Sequence, residues 1–266
     1  MPNLYEFELG KAADLLAREL FRLRPNEIFV ITADTESDAR VVEATARAAF
    51  TVGAKPMVVW LASPLGVGKA ADPMLPIDSL VGALKAADAW VEFNNRWLLY
   101  STVFDRALQE NPRLRYLCLI GMNAGMMVRC IGRIDYPTLK EFLEKVAVMT
   151  RKAEKMRITT AAGTDVAFEN TPGGEVRCRL GYAENPGSHM MAGQIGWNPV
   201  YETVNGTIAF DGSIVPPTGL LREPVVLHIR KGDITEISGG KEAVQFDAWL
   251  RSFDDRNMLR LAHVCY

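Results

Sequence analysis

Apolar residues in the first half of the chain switch between helical spacing and short unbroken runs. Leu9, Ala12, Ala13, Leu16, Leu20 and Phe21 recur near every third or fourth position, which predicts a helix from Leu9 to Leu23 that breaks at Arg24-Pro25-Asn26. Ile28–Thr32 is an apolar run of strand length. Thr35 then begins a T-x-x-D start for a helix through Ala49, closed by Gly53. Pro56–Leu61 predicts a second strand, and a loop with Pro64, Gly66, Gly68, Pro73 and Pro76 follows. Ile77–Ala87, Arg96–Gln109 and Thr138–Lys155 predict helices, with strands at Ala89–Phe93 and Leu114–Ile120 between them. Near-continuous apolar strands separated by helices imply a parallel sheet covered on both faces.

The pattern changes near Met156. Arg157–Thr160 and Thr164–Phe168 flank Ala162-Gly163, a hairpin signal. Gly206–Phe210, Val225–Ile229 and Ile234–Ile237 predict further strands, with turns at Asp211-Gly212 and Lys231-Gly232-Asp233, and Lys241–Ser252 predicts one covering helix. The expected fold class is therefore α/β: a parallel α/β domain over residues 1–153, then a β-rich α+β domain over residues 154–266.

Composition narrows the function class. The chain has 266 residues, 48% hydrophobic and 23% charged, enough to bury a sizeable core. Thirty basic against 32 acidic residues leave a net charge of −2, which gives no reason to expect nucleic acid or a membrane surface as partner. Apolar runs such as Met57–Ala62 fall far short of a bilayer span, and the N-terminus has no secretory pattern. Cys118, Cys130, Cys178 and Cys265 form no CxxC pair, so they are expected to be buried free thiols in a reducing cytoplasm.

Familiar motifs fail. Ser63–Lys69 has the outline of a phosphate loop, but Ser63 and Ala70 stand where Gly and Ser or Thr are required. Neither a G-x-S-x-G elbow nor HExxH occurs. Of the three histidines, His228 falls on the strand face of Arg230, opposite Val225, Leu227 and Ile229, and reads as solvated. His189 follows a turn at Pro186-Gly187 and precedes a Gly-containing loop. His263 lies among apolar neighbours and is expected to be buried, where an imidazole needs a hydrogen-bond partner or a metal. Asp34, Glu36 and Asp38 fit charge compensation at a helix start, Glu92 a solvated strand end, and Asn94 and Asn95 caps for the following helix.

Ile31–Asp38, Gly53-Ala54-Lys55-Pro56, Gly163–Val166, Val204–Ile208 and Leu261–Tyr266 together resemble the superfamily of aminopeptidase T/S-type metallopeptidases, which also holds the iron-dependent 2,5-dihydroxypyridine 5,6-dioxygenases. The resemblance spans essentially the whole chain. It implies that Gln194 and His263 occupy places where the peptidases carry metal-binding glutamates. Losing two carboxylates weakens a site for two closely spaced dications and favours a single ion held partly by imidazole. On this resemblance His263 matches the first histidine of a two-histidine, one-carboxylate iron site. The partner His-x-Asp is expected beyond Tyr266, so the chain reads as a fragment with an incomplete second domain.

The expected reaction is oxidative opening of a hydroxylated N-heteroaromatic ring by Fe(II) and O2. His263 is the expected metal ligand, with His189, Tyr100 and Gln194 as catalytic candidates near the substrate. A metallo-aminopeptidase using Zn or Co is the first alternative, and a non-catalytic remnant or binding module the second. The expected partners are a small-molecule substrate, O2 and other copies of the chain in a homo-oligomer.

Overall fold

The computed structural model describes residues 5–216 and 219–266. In chain order the elements are α1 (Tyr5–Leu15), β1 (Ile28–Asp34), α2 (Ala39–Thr51), β2 (Lys55–Leu61), α3 (Ile77–Lys85), β3 (Ala89–Glu92), α4 (Thr102–Glu110), β4 (Arg115–Cys118), α5 (Ala124–Met127) and α6 (Tyr136–Lys152). There follow β5 (Lys155–Thr159), β6 (Asp165–Glu169), β7 (Val176–Arg179), β8 (Gly187–Met190), β9 (Gln194–Trp197), β10 (Asn205–Phe210), β11 (Val225–Arg230), β12 (Asp233–Ser238), α7 (Lys241–Arg251) and β13 (Val264–Cys265). The described residues up to Glu141 form one compact unit with Arg179–Gly193; Phe142–Cys178 and Gln194–Tyr266 form another.

The first unit is built on a parallel sheet in the order β2-β1-β3-β4-β8. Side chains alternate between its faces. Phe29, Ile31, Ala33, Val91 and Phe93 pack with α1 and α2, while Val30, Trp90 and Tyr116 pack with α3 and α4. Phe21 and Phe29 meet edge to face at 5.0 Å, and Trp90 lies 4.5 Å from Tyr116. Caps set the helix starts: the Asp38 carboxylate accepts from Arg40 N at the start of α2, and the Ser101 hydroxyl from Phe104 N at the start of α4. The fourth helix thus begins at Thr102, six residues later than the apolar spacing predicts.

The fifth strand, β8, was not legible as one. Pro186-Gly187-Ser188 reads as a turn, yet Gly187–Met190 pairs in parallel with all four residues of β4. Its chain direction and neighbours, rather than its own propensity, make it a strand.

The second unit carries an antiparallel sheet in the order β12-β11-β10-β6-β5 and a smaller one in the order β13-β9-β7. The predicted hairpin joins β5 to β6, with Thr160 N donating to Thr164 O at 3.0 Å and Gly163 in the left-handed region. Gly206 at the start of β10 also has positive φ, and a Cβ there would lie 2.1 Å from Asp165 O. The β10–β6 pairing therefore requires glycine at this position.

Candidate functional site

The parallel sheet reverses its strand order at β1, which has β2 on one side and β3 on the other. Open α/β sheets bind ligands beyond the strand carboxyl ends at such a point. Here the loops after β1 and β3 are stitched together. Asp34 is fully buried and accepts from Glu36 N at 3.0 Å and from Arg96 N at 2.7 Å. The Ser37 hydroxyl donates to Phe93 O at 3.1 Å, and the Asn95 amide donates to Glu36 O. Asp34 thus joins two loops instead of compensating a helix dipole, while Asp38 does cap α2 and also accepts from Ala124 N at 3.0 Å.

Glu92 corrects the expectation of a solvated strand end: its exposure is 0%. One carboxyl oxygen accepts from the Tyr116 hydroxyl at 2.5 Å and the other from Leu98 N. Burial pushes its pKa up to about 7, against the opposing pull of the hydrogen bonds from Tyr116, Leu98 and Leu99, and the nearby Asp34 charge pushes the same way as burial. Burial likewise raises Tyr116 and Cys118 above their usual ranges. The signal for Glu92 lay in its strand. A parallel strand buried on both faces leaves no wet side for a charge, and β3 is buried along its whole length. Asn94, two residues on, is also buried; neither its amide nitrogen nor its oxygen has a partner among the described residues. Neither it nor Asn95 caps α4, because Ser101 fills that role.

The predicted site residues divide between the two units. Tyr100 stands in the loop that Glu92 pins, with φ +64° and 62% exposure, its ring 6.0 Å from Phe104. It lies outside the helix in which the apolar spacing placed it. His189 sits on β8 opposite Leu117, half-buried. Its Nε2–H donates to Asn185 O at 2.8 Å, which leaves Nδ1 as the acceptor of the neutral ring.

Gln194 and His263 belong to the second unit. Val264 pairs with Trp197 and Cys265 with Gly196, and Tyr266 exchanges backbone hydrogen bonds with Ile195. Gln194 therefore begins β9 at one end of this ladder, and His263 lies just beyond the other. Four residue steps of strand separate them by roughly 13 Å. His263 is exposed, not buried as its neighbours suggested, because β13 is a two-residue edge pairing that covers little. Cys265 is exposed as well, whereas Cys118 is buried and Cys130 and Cys178 are half-buried; all four are free thiols. Among the described residues, no three His, Cys, Asp or Glu side chains gather to hold a metal ion.

A curated 2,5-dihydroxypyridine 5,6-dioxygenase from Pseudomonas putida KT2440 is 27% identical over 261 residues, covering 92% of this chain and 71% of its own length. The solved structure of a dioxygenase of that name from the same organism aligns with TM-score 0.74 at 22% identity, covering 98% of this chain and 76% of its own. Wild-type AmpT from Thermus thermophilus aligns with TM-score 0.68 at 16% identity, covering 98% and 78%. These two structures establish a shared fold. The family model described as NicX, 2,5-dihydroxypyridine 5,6-dioxygenase, matches residues 14–266. A match running from Asp14 to Tyr266 leaves little of the chain outside it, and the chain belongs to the 2,5-dihydroxypyridine 5,6-dioxygenase family.

Proposed function

We propose that the protein acts in oxidative ring opening of a hydroxylated N-heteroaromatic compound of the 2,5-dihydroxypyridine type. The observation that carries this reading is the family match over residues 14–266. In such a reaction the bond between two ring carbons breaks, and both atoms of O2 end in the opened product. The electrons come from the electron-rich ring, so no external reductant is needed.

The finer reading takes Fe(II) as the metal, His263 as one ligand, and the cytoplasm as the compartment. A mononuclear facial site needs two histidines and a carboxylate. The described residues offer His263 without such companions, so they do not by themselves fit a complete iron site. What the chain's own residues can contribute is narrower. His189, whose Nε2–H is taken by Asn185 O, presents Nδ1 as an acceptor for a ring hydroxyl of the substrate. The Tyr100 hydroxyl and the Gln194 amide are suited to hydrogen-bond polar ring substituents. Zn- or Co-dependent aminopeptidase activity is not favoured, because both the family model and the curated relative are dioxygenases.

The test is oxygen consumption by the protein supplied with Fe(II) and 2,5-dihydroxypyridine, run beside hydrolysis of an aminoacyl-p-nitroanilide. The expected result is one O2 consumed per ring lost and no nitroaniline released. Nitroaniline release without oxygen uptake would overturn the reading. His263→Ala is expected to weaken Fe(II) binding at least tenfold by titration calorimetry; unchanged binding would remove His263 from the ligand set.

A further inference from the structure

The turn that carries Tyr100 has a shape that its own residues do not account for. Ser101 N donates to Leu98 O at 2.8 Å, which closes a turn with Tyr100 as its third residue. Tyr100 has φ +64°, a left-handed conformation that glycine or asparagine ordinarily supplies at that place. A bulky residue keeps such a conformation only where its surroundings impose it, and such residues gather at functional sites. Leu98, Leu99 and Ser101 are buried, so the turn presents the Tyr100 ring outward while its neighbours face in. It follows β3, beside the point where the sheet reverses its strand order.

A buried polar layer imposes the conformation. The Trp90 indole donates to the Thr32 hydroxyl at 2.9 Å, which puts these two residues on one face of the sheet. Two residues further along each strand, Asp34 and Glu92 share that face. Asp34 accepts from Arg96 N at 2.7 Å, Gly68 N donates to Trp97 O at 3.0 Å, and the Asp72 carboxylate accepts from Thr102 N at 2.9 Å and from its hydroxyl at 2.6 Å. These contacts hold the flanks. Glu92 holds the turn itself, accepting from Leu98 N and Leu99 N, while the Tyr116 hydroxyl fixes its other oxygen. Asn94, next along the same face, has no such hold among the described residues.

We infer that Glu92 is a positioning residue for the ring-opening reaction: by holding the Leu98 and Leu99 amides it fixes the turn and, through it, the Tyr100 hydroxyl that meets the substrate. This role rests on the proposed reaction and on Tyr100 as a substrate contact. Glu92 does not touch substrate itself, because it is fully buried and both of its oxygens are taken. A carboxyl suits the task because one oxygen accepts from the turn while the other holds Tyr116. Glutamine can replace it, since its carbonyl oxygen still accepts from the turn and its amide can donate to Tyr116. Leucine fills the space but accepts from neither amide.

Two measurements test this, with circular dichroism to confirm folding. Hydrogen exchange reads the turn without substrate: the Leu98 and Leu99 amides are expected to exchange roughly tenfold faster in Glu92→Leu than in wild type, and close to the wild-type rate in Glu92→Gln. Unchanged exchange in Glu92→Leu would overturn the inference. A double-mutant cycle on oxygen uptake with 2,5-dihydroxypyridine reads whether the turn acts through the tyrosine. Glu92→Leu is expected to lower kcat/KM roughly tenfold in the wild-type background and to add almost nothing in a Tyr100→Phe background. Fe(II) affinity is expected to stay unchanged, and Glu92→Gln to restore most of the activity. Full turnover in Tyr100→Phe, or the same fold loss from Glu92→Leu in both backgrounds, would overturn the inference. A wild-type chain that consumes no oxygen would end the proposed reaction instead, and exchange alone would then decide whether Glu92 fixes the turn. If Glu92→Leu does not fold, Tyr116→Phe, which frees the other oxygen of the carboxyl, takes its place in both measurements with the same expected pattern.

Discussion

Glu92 carries three donors on one buried carboxyl and a pKa of about 7, so its effect on stability has a definite sign. The folded form holds the proton more tightly than the unfolded chain, whose value is near 4.5. Its contribution is therefore fully present below pH 4.5 and is lost as pH rises through 7. Glu92→Gln is expected to flatten the fall in urea midpoint between those limits, because Tyr116 can turn its hydroxyl to accept from the amide. An unchanged pH profile would show that Glu92 does not titrate there. The identity of Glu92 was plain in the sequence and its burial was not, since only the flanking strands remove its water. His263 errs the other way: apolar neighbours along the chain suggested burial, but neighbours in sequence cover a side chain only when a sheet or helix brings partners to it. His189→Ala is expected to leave Fe(II) binding unchanged while lowering turnover; full turnover would make His189 a bystander.

At the scale of elements, β1–β4 and the helices between them follow from apolar runs and breaks, as does the β5–β6 hairpin with its Gly163 turn. The start of α4 does not. Arg96, Trp97 and Leu98 continue the helical spacing, but Glu92 and Gly68 draw on the backbone of this stretch, Leu98 N donating to the carboxylate and Gly68 N to Trp97 O. The helix begins only where Ser101 can cap it. Ser101→Ala is expected to lower stability by about 1 kcal/mol, read as a urea midpoint shift at constant slope. No loss would mean that another group takes over the cap. The short strands β7, β8, β9 and β13 were equally hidden: β7, β8 and β9 interleave polar residues or glycine and β13 has two residues, whereas the equally short β3 and β4 lie in apolar runs.

For the whole molecule, the parallel α/β unit and the antiparallel unit agree with the fold class that the spacing predicts. Return of the chain to the first unit through Arg179–Gly193 could not be read from local pattern, because strand order is set by packing rather than by propensity. Among the described residues no helix is long and apolar enough to cross a membrane. Family membership rests on residues 14–266, and the ring-opening reaction is the claim that depends on it most heavily. The most direct measurement is mass spectrometry of the product formed from 2,5-dihydroxypyridine by the Fe(II)-supplied protein under ¹⁸O₂. The account predicts a ring-opened product carrying both labelled atoms. A product with its new oxygen drawn from water, or recovery of the intact ring, would contradict it.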